Sequence, residues 1–305
     1  MSVYKKEINY NIKSIKRFGW TPQWFGVLEV DDELIEAIMS FQEEHNLSAD
    51  GLVGPGTYRR LETSILADEK TSIKKVEESR VNQSLIYNGK YVPIKWKKVK
   101  LYTEEDGLEI KGENYHSYLG KPNRGPIQFV NHWDATLSSE TCARIINKRS
   151  LSMHFLIDND GTIYQLMDMQ HSAWQAGNRL SNNIGLGVEI SNAYYLKYQN
   201  WYVKNGFGER PIESGHKLNG WKVPDHLGFY DIQLEALAAL WEAVHQATGI
   251  PLEVCLTKGV DEACQRGDFA GFINHFNLTS NKQDCISLDM EKVLKKALLL
   301  KDEPY

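Results

Sequence analysis

The strongest constraint on this chain is a pair of short apolar runs hinged on four turn residues. HFLI and TIYQLM flank Asp158-Asn159-Asp160-Gly161 and predict a β-hairpin. More strands gather around it. GPIQFVNHW reads as a strand ending at His132, NIGLGVEISN as another buried strand, and GFINHFNL as a strand or strand end at His275. Helices fall between them. SSETCARIINKRS predicts a helix capped at Ser138 or Ser139. YDIQLEALAALWEAVHQATGI places Leu234, Leu237, Trp241 and Val244 on one face, with Gly249 as its stop. SLDMEKVLKKALLL closes the chain, with Asp289 and Glu291 in the first turn, where the helix dipole favours acids. Strands mixed with helices predict an α/β domain over 96–305, a mixed central β-sheet flanked by helices.

The chain has 305 residues, which suggests two domains. The smaller is expected over 1–65, as a helical domain. DDELIEAIMSFQEEHNL puts Leu34, Ile35, Ile38, Phe41 and Gln42 at helical spacing, with Asp31 or Asp32 as N-cap. Asp50-Gly51 and Gly54-Pro55-Gly56 then signal turns, and Thr57 is expected to cap a short helix, YRRLE. Residues 66–95 are polar and charged and read as a linker or solvated helix.

Composition narrows the function. Hydrophobic residues make up 42% and charged residues 25%, which excludes wholesale disorder. Net charge is −5, from 35 basic and 40 acidic residues, which argues against blanket binding of nucleic acid. No apolar run reaches the ~18 residues of a membrane span. The basic N-terminal stretch has no apolar run behind it, so synthesis in the cytosol without a cleaved signal is expected. Cys142, Cys255, Cys264 and Cys285 show no CxxC pair and read as mostly free thiols, with a Cys255–Cys264 pairing left open.

Residues able to support hydrolysis stand at strand ends. A hydrolytic zinc site needs three protein ligands and an open position for water. It also needs a carboxylate to take a proton and a cation or donor to steady the oxyanion. His132 closes FVNH, His275 closes GFINH, and Asp284 follows in NKQDC. Glu189 lies in the otherwise apolar GVEIS, where a carboxylate is costly unless paired or functional. Lys282 precedes Asp284 in a K-x-D pattern. Singly, each residue also fits an ordinary structural role.

Two resemblances give this order a meaning. FQEEHNLSADGLVGPGTYRRL is similar to the second half of the peptidoglycan-binding domain of cell-wall hydrolases, matching at Phe41, Gln42, Leu47, Asp50, Gly51, Gly54, Pro55, Thr57 and Leu61. FVNHWDAT, SMHFLIDNDGTIYQL, AWQAG, NNIGLGVEISN and INHFNLTSNKQD resemble, in order, five motifs of the type 2 N-acetylmuramoyl-L-alanine amidases. That family includes phage lysins, muropeptide amidases and peptidoglycan-recognition proteins. The resemblance implies the amidase type 2 fold and Zn2+ held by His132, His275 and Asp284. It implies Glu189 as proton acceptor and Lys282 as oxyanion stabiliser. His154 aligns with a family histidine that is expected to orient the hairpin by hydrogen bonding.

The sequence departs from the family pattern in places. Cys285 beside Asp284 is a second candidate for third ligand; the K-x-D spacing favours Asp284. Met153 replaces a tyrosine of the phage branch, and Gln175 replaces the histidine of AWHAG. The stretch 194–224, rich in aromatics, reads as an insertion packed on the body or a groove wall that stacks sugars. The implied substrate is peptidoglycan, cut between N-acetylmuramic acid and L-alanine. The alternatives are a non-catalytic recognition module and a zinc peptidase cutting within the stem peptide. The substrate lies outside the cytosol, so the resemblance implies delivery as an endolysin or on a phage tail or injection apparatus.

Overall fold

The computed structural model describes residues 3–68, 77, 79, 83–118, 121–122 and 124–304. The chain divides into two compact units, Met1–Ser72 and Ile73–Tyr305. Among the described residues, no helix is long and apolar enough to cross a membrane.

The first unit is built from α1 (Lys5–Phe18), α2 (Asp32–Glu44) and α3 (Pro55–Asp68). Asp31 caps α2 by accepting from the Leu34 amide. Leu34, Ile35 and Ile38 are buried beside Trp20, Val53 and Tyr58. The Asp50-Gly51 turn is held from two helices. Gln42 of α2 donates to Asp50 Oδ1 at 2.8 Å and accepts from the Gly51 amide at 2.9 Å. Asn11 of α1 donates to the Gly51 carbonyl at 2.8 Å and accepts from the Val53 amide at 2.9 Å. Gly51 has φ 69°, and a Cβ there would meet Ile35 at 2.7 Å, so this turn requires glycine. Thr57 does not cap a short helix. The helix begins at Pro55, whose ring presets φ and whose missing N–H costs nothing there, and Thr57 lies buried within it, in contact with Gln42 at 3.1 Å.

In the second unit, β1 (Gln83–Tyr87) and β2 (Lys90–Ile94) form an antiparallel hairpin. A linker is expected here from the sequence; 69–76 and several residues up to 82 lie outside the described residues. The hairpin forms because Asn88 and Gly89 both take positive φ, 52° and 68°, the combination a two-residue hairpin turn demands. Leu85, Ile86 and Ile94 are buried in the main core.

Six strands make the central sheet: β3 (Val99–Leu101), β4 (Gln128–Trp133), β5 (Phe155–Ile157), β6 (Ile163–Gln165), β7 (Gly185–Ile190) and β8 (Gly271–Asn274). Their spatial order is β8-β4-β7-β5-β6-β3. Only β5 and β6, the hairpin around Asp158–Gly161, run antiparallel; the other neighbours are parallel. The sheet is therefore mixed. Helix α4 (Ser139–Lys148) is capped by Ser138, which accepts from the Thr141 amide. Helices α5 (Asp231–Thr248) and α6 (Met290–Asp302) complete the layers. Gly249 ends α5 in the left-handed conformation, and Asp289 caps α6.

Side-chain alternation divides the sheet's two faces. Phe129, Phe155, Leu186, Val188 and Phe272 join the core that contains Leu237, Trp241 and Val244 of α5 and Val293 of α6. Trp241 stacks on Phe272 with centroids 4.4 Å apart. Residues one step along each strand belong to the opposite face. There Leu156 packs with Cys142 and Ile146 of α4, and Val130 packs with Ile273. His132 and Glu189 share that phase.

Candidate active site

Parallel register assembles the site. His132 of β4 pairs directly with Glu189 of β7, and Asn131 pairs with Asn274 of β8. His275, the next residue after Asn274, therefore arrives beside His132, and the two imidazole centroids lie 4.3 Å apart. Asp284 returns from the segment after β8. Its Oδ2 lies 3.1 Å from His132 Nδ1 and 2.9 Å from His275 Nδ1. All three side chains are buried.

Two rings that present the same nitrogen to one carboxylate oxygen make a donor set for a cation. One ligand atom from each of His132, His275 and Asp284 lies within 4.8 Å of the others. Ligand atoms around a tetrahedral zinc ion stand about 3.3 Å apart at Zn–N and Zn–O lengths near 2.0–2.2 Å, close to the separations found. Burial, then the charges of His275 and Lys282, pushes the His132 pKa down to about 4 against the pull of Asp284, so the ring is neutral and carries a lone pair. Burial works to raise Asp284, yet His275 and His132 hold its carboxyl well below the usual range. Two imidazole nitrogens and one carboxylate are a set that zinc accepts.

The neighbouring candidates are placed as follows. Cys285 lies in the apolar core rather than in the His-His-Asp group, and burial drives its thiol pKa well above the ordinary value. Lys282 is half-buried, and its charge is felt at His132. Glu189 is half-buried in register with His132. His154 is fully buried. Its Nδ1 accepts from the Gly187 amide at 3.2 Å, which leaves Nε2 to donate to the His171 carbonyl at 3.0 Å. It thus ties the start of β5 to β7. Gln175 lies over Gly187, where a Cβ would stand 1.6 Å from its Oε1, so a side chain at 187 would push the Gln175 amide aside.

Three buried polar residues that sequence reasoning passed over shape the surroundings. Asp134 Oδ1 accepts from the Thr136 and Asn192 amides at 2.9 and 3.0 Å, and Oδ2 from the Thr136 and Ser191 hydroxyls at 2.7 and 2.9 Å. It ties the exit of β4 to the exit of β7, the strands carrying His132 and Glu189. Its signal was the Asp-x-Thr spacing of WDAT, which favours a side-chain-closed turn. Arg124 is buried among carbonyls, with bonds to Asn183 at 2.7 Å and Gly185 at 3.0 Å. Arg210 anchors the aromatic insertion. Its guanidinium lies 4.2 Å from the Tyr202 ring centre and 4.3 Å from that of Tyr230, and it donates to the Ser191 carbonyl at 2.8 Å. No local pattern marked either arginine. Within the insertion Tyr194, Tyr198, Trp201 and Tyr202 are buried, and Trp221 is 79% exposed.

Residues 122–283, just over half of the chain, match the N-acetylmuramoyl-L-alanine amidase family model. No curated protein matches the chain. Among solved structures, the chain is similar to the N-acetylmuramyl-L-alanine amidase AmiD from E. coli, determined with anhydro-N-acetylmuramic acid-L-Ala-D-gamma-Glu-L-Lys. That match has 14% identity, covers 60% of this chain and 66% of that one, and has a TM-score of 0.39. The catalytic domain of XlyA matches at 15% identity, over 66% of this chain and 99% of that one, with a TM-score of 0.39. The Staphylococcus aureus hydrolase AmiA matches at 11% identity, over 68% and 88%, with a TM-score of 0.41.

Proposed function

The chain belongs to the N-acetylmuramoyl-L-alanine amidase family, and on that premise we propose that it is a zinc-dependent, endolysin-like hydrolase of peptidoglycan. The bond cut is the amide between the lactyl group of N-acetylmuramic acid and L-alanine of the stem peptide. The observation that carries the zinc reading is the convergence of His132 Nδ1 and His275 Nδ1 on Asp284 Oδ2, at 3.1 and 2.9 Å. Those three residues would hold the metal. When bound, zinc supplies Lewis-acid polarisation of the scissile carbonyl and lowers the pKa of water.

The remaining steps fall to the chain. Glu189 takes a proton from the attacking water as the water oxygen bonds to the carbonyl carbon. The same carboxylic acid returns that proton to the alanine nitrogen as the C–N bond breaks. The Lys282 ammonium offsets the negative charge that develops on the carbonyl oxygen. Asp134 keeps β4 and β7 aligned so that His132 and Glu189 stay in register. The first unit, with its Gln42-braced Asp50-Gly51 turn, serves as a wall-binding domain that keeps the enzyme on its polymer. Synthesis in the cytosol followed by release to the wall, or carriage on a phage tail or injection apparatus, completes the reading.

The test is digestion of purified sacculi with and without a chelator, followed by mass spectrometry of the products. Free N-terminal L-alanine, lost on chelation and restored by zinc, is the expected result. A new D-amino-acid end would replace this reading with a stem-peptide peptidase. Wall binding without cleavage, by folded and zinc-free protein, would replace it with a recognition module.

A further inference from the structure

We infer that Cys255 and Cys264 are an oxidisable pair that closes a disulfide at the expense of a low-molecular-weight disulfide, stapling the loop that backs His275. Cys255 lies on an extended segment whose amide donates to the Phe272 carbonyl at 3.0 Å, alongside β8. Cys264 lies in the short helix Glu262–Arg266, and its carbonyl accepts from Gln128 at 2.9 Å. The two sulfurs lie within 4.8 Å of each other, and both stand as free thiols. They share a small apolar cluster with Val130 and Ile273, and neither belongs to the His-His-Asp group.

The pair could instead be part of a metal site, since Asp261 contributes a carboxylate within 4.8 Å. Its hydrogen bonds argue otherwise. Asp261 Oδ1 accepts from the Cys264 amide at 3.0 Å, and Oδ2 from the Thr257 hydroxyl at 2.8 Å. Each oxygen already accepts one hydrogen bond of the local fold. Even with Asp261 counted, the cluster offers three ligands, short of the four protein ligands of a structural zinc site.

Access and chemistry favour Cys255 as the first sulfur to react. It lines a cleft of about 480 Å³ together with His216, Leu256 and Thr257, whereas Cys264 is fully enclosed. The neighbouring Cys264 thiol lowers the Cys255 pKa, which favours the thiolate that attacks disulfides. The Cys255 thiolate attacks one sulfur of the small disulfide and expels a thiolate. Cys264, giving up its proton, then attacks Cys255 Sγ and expels the second. The protein loses two protons and two electrons, and the small disulfide takes them up to become two thiols.

The crosslink would matter for the site because its loop is wired to the turn after β8. Asn277 donates to the carbonyls of Thr257 and Gly259 at 2.9 and 3.0 Å, and Gln265 donates to that of Leu278 at 2.9 Å. The Asp261 amide donates to the Asn277 carbonyl at 2.9 Å. His275, Asn277 and Leu278 therefore share one support. The crosslink itself is independent of the zinc reading.

The experiment treats reduced, folded, full-length protein with oxidised glutathione and reads free thiols, a non-reducing peptide map and backbone hydrogen exchange. Two of the four thiols should disappear. One linked peptide pair, Cys255 with Cys264, should appear two hydrogens lighter. Exchange at Phe276–Leu278 should slow, and the thermal midpoint should rise by about 5 °C, reversed by dithiothreitol. In the Cys264→Ala variant the glutathione adduct should persist on Cys255. Four unconsumed thiols in the wild-type protein, a stable adduct on Cys255 alone, or linkage through Cys142 or Cys285 would overturn the pairing. So would a second bound zinc that shields both thiols. A formed crosslink with unchanged exchange at Phe276–Leu278 would overturn the stapling role.

Discussion

Two clusters in the second unit offer three metal-ligand side chains each, His132, His275 and Asp284 in one and Cys255, Asp261 and Cys264 in the other. Proximity does not distinguish them. In the first, a single carboxylate oxygen faces two imidazole nitrogens, and among the described residues no backbone group bonds to it. In the second, the carboxylate is committed to a helix cap and a threonine hydroxyl. The comparison teaches that proximity of ligand side chains counts for less than whether their free lone pairs converge on one point. It also separates the chemistry each cluster invites, cation binding in one and sulfur oxidation in the other.

The largest effect should come from His275→Ala. Bound zinc should fall from one equivalent to near zero by metal analysis, and release of muropeptide products should drop to background; retained zinc would erase the contrast between the clusters. Glu189→Gln should keep the metal and lose about 10²–10⁴-fold in turnover, the range for removing a general base. Sacculus-clearing rates check this, and near-normal turnover would remove Glu189 from the reaction. Asp134→Ala leaves the buried Thr136 and Asn192 amides without their acceptor. It should lower unfolding stability by about 2 kcal/mol in urea titration, with zinc retained at saturating metal. Asp261→Ala should be mildest, costing about 1 kcal/mol as a lost helix cap and leaving zinc content unchanged. Loss of zinc in that variant would mean that the second cluster is the metal centre.

Much of the second unit was legible because its signals are local. Ser138 as a cap, the Asp158–Gly161 hairpin and Gly249 as a helix stop each depend on a few adjacent residues. The β1–β2 hairpin was missed although Asn88-Gly89 marked it, because its polar flanks resemble a linker and its buried Leu85 and Ile94 declare themselves only against the core. Thr57 was misplaced because a threonine after a turn is an ordinary cap signal, and Pro55 outranked it by starting the helix first. Arg124 and Arg210 carried no strong signal, since a buried charge is recognised by its partners, and those partners lie far along the chain.

The sequence by itself determined which segments become strands and helices, and it singled out His132, Glu189, His275, Lys282 and Asp284 in their order. It could not bring His132, His275 and Asp284 within bonding reach. That was decided by the parallel register, which sets His132 beside Glu189 and lays β8 along β4 so that His275 falls next to His132. The tertiary structure likewise spent Asp261 on its own loop, kept Cys285 in the core and placed Cys255 against Cys264. The physical reason is range. Propensity and turn chemistry act over a few residues, whereas lone pairs and thiols meet partners that only the packed sheet brings near.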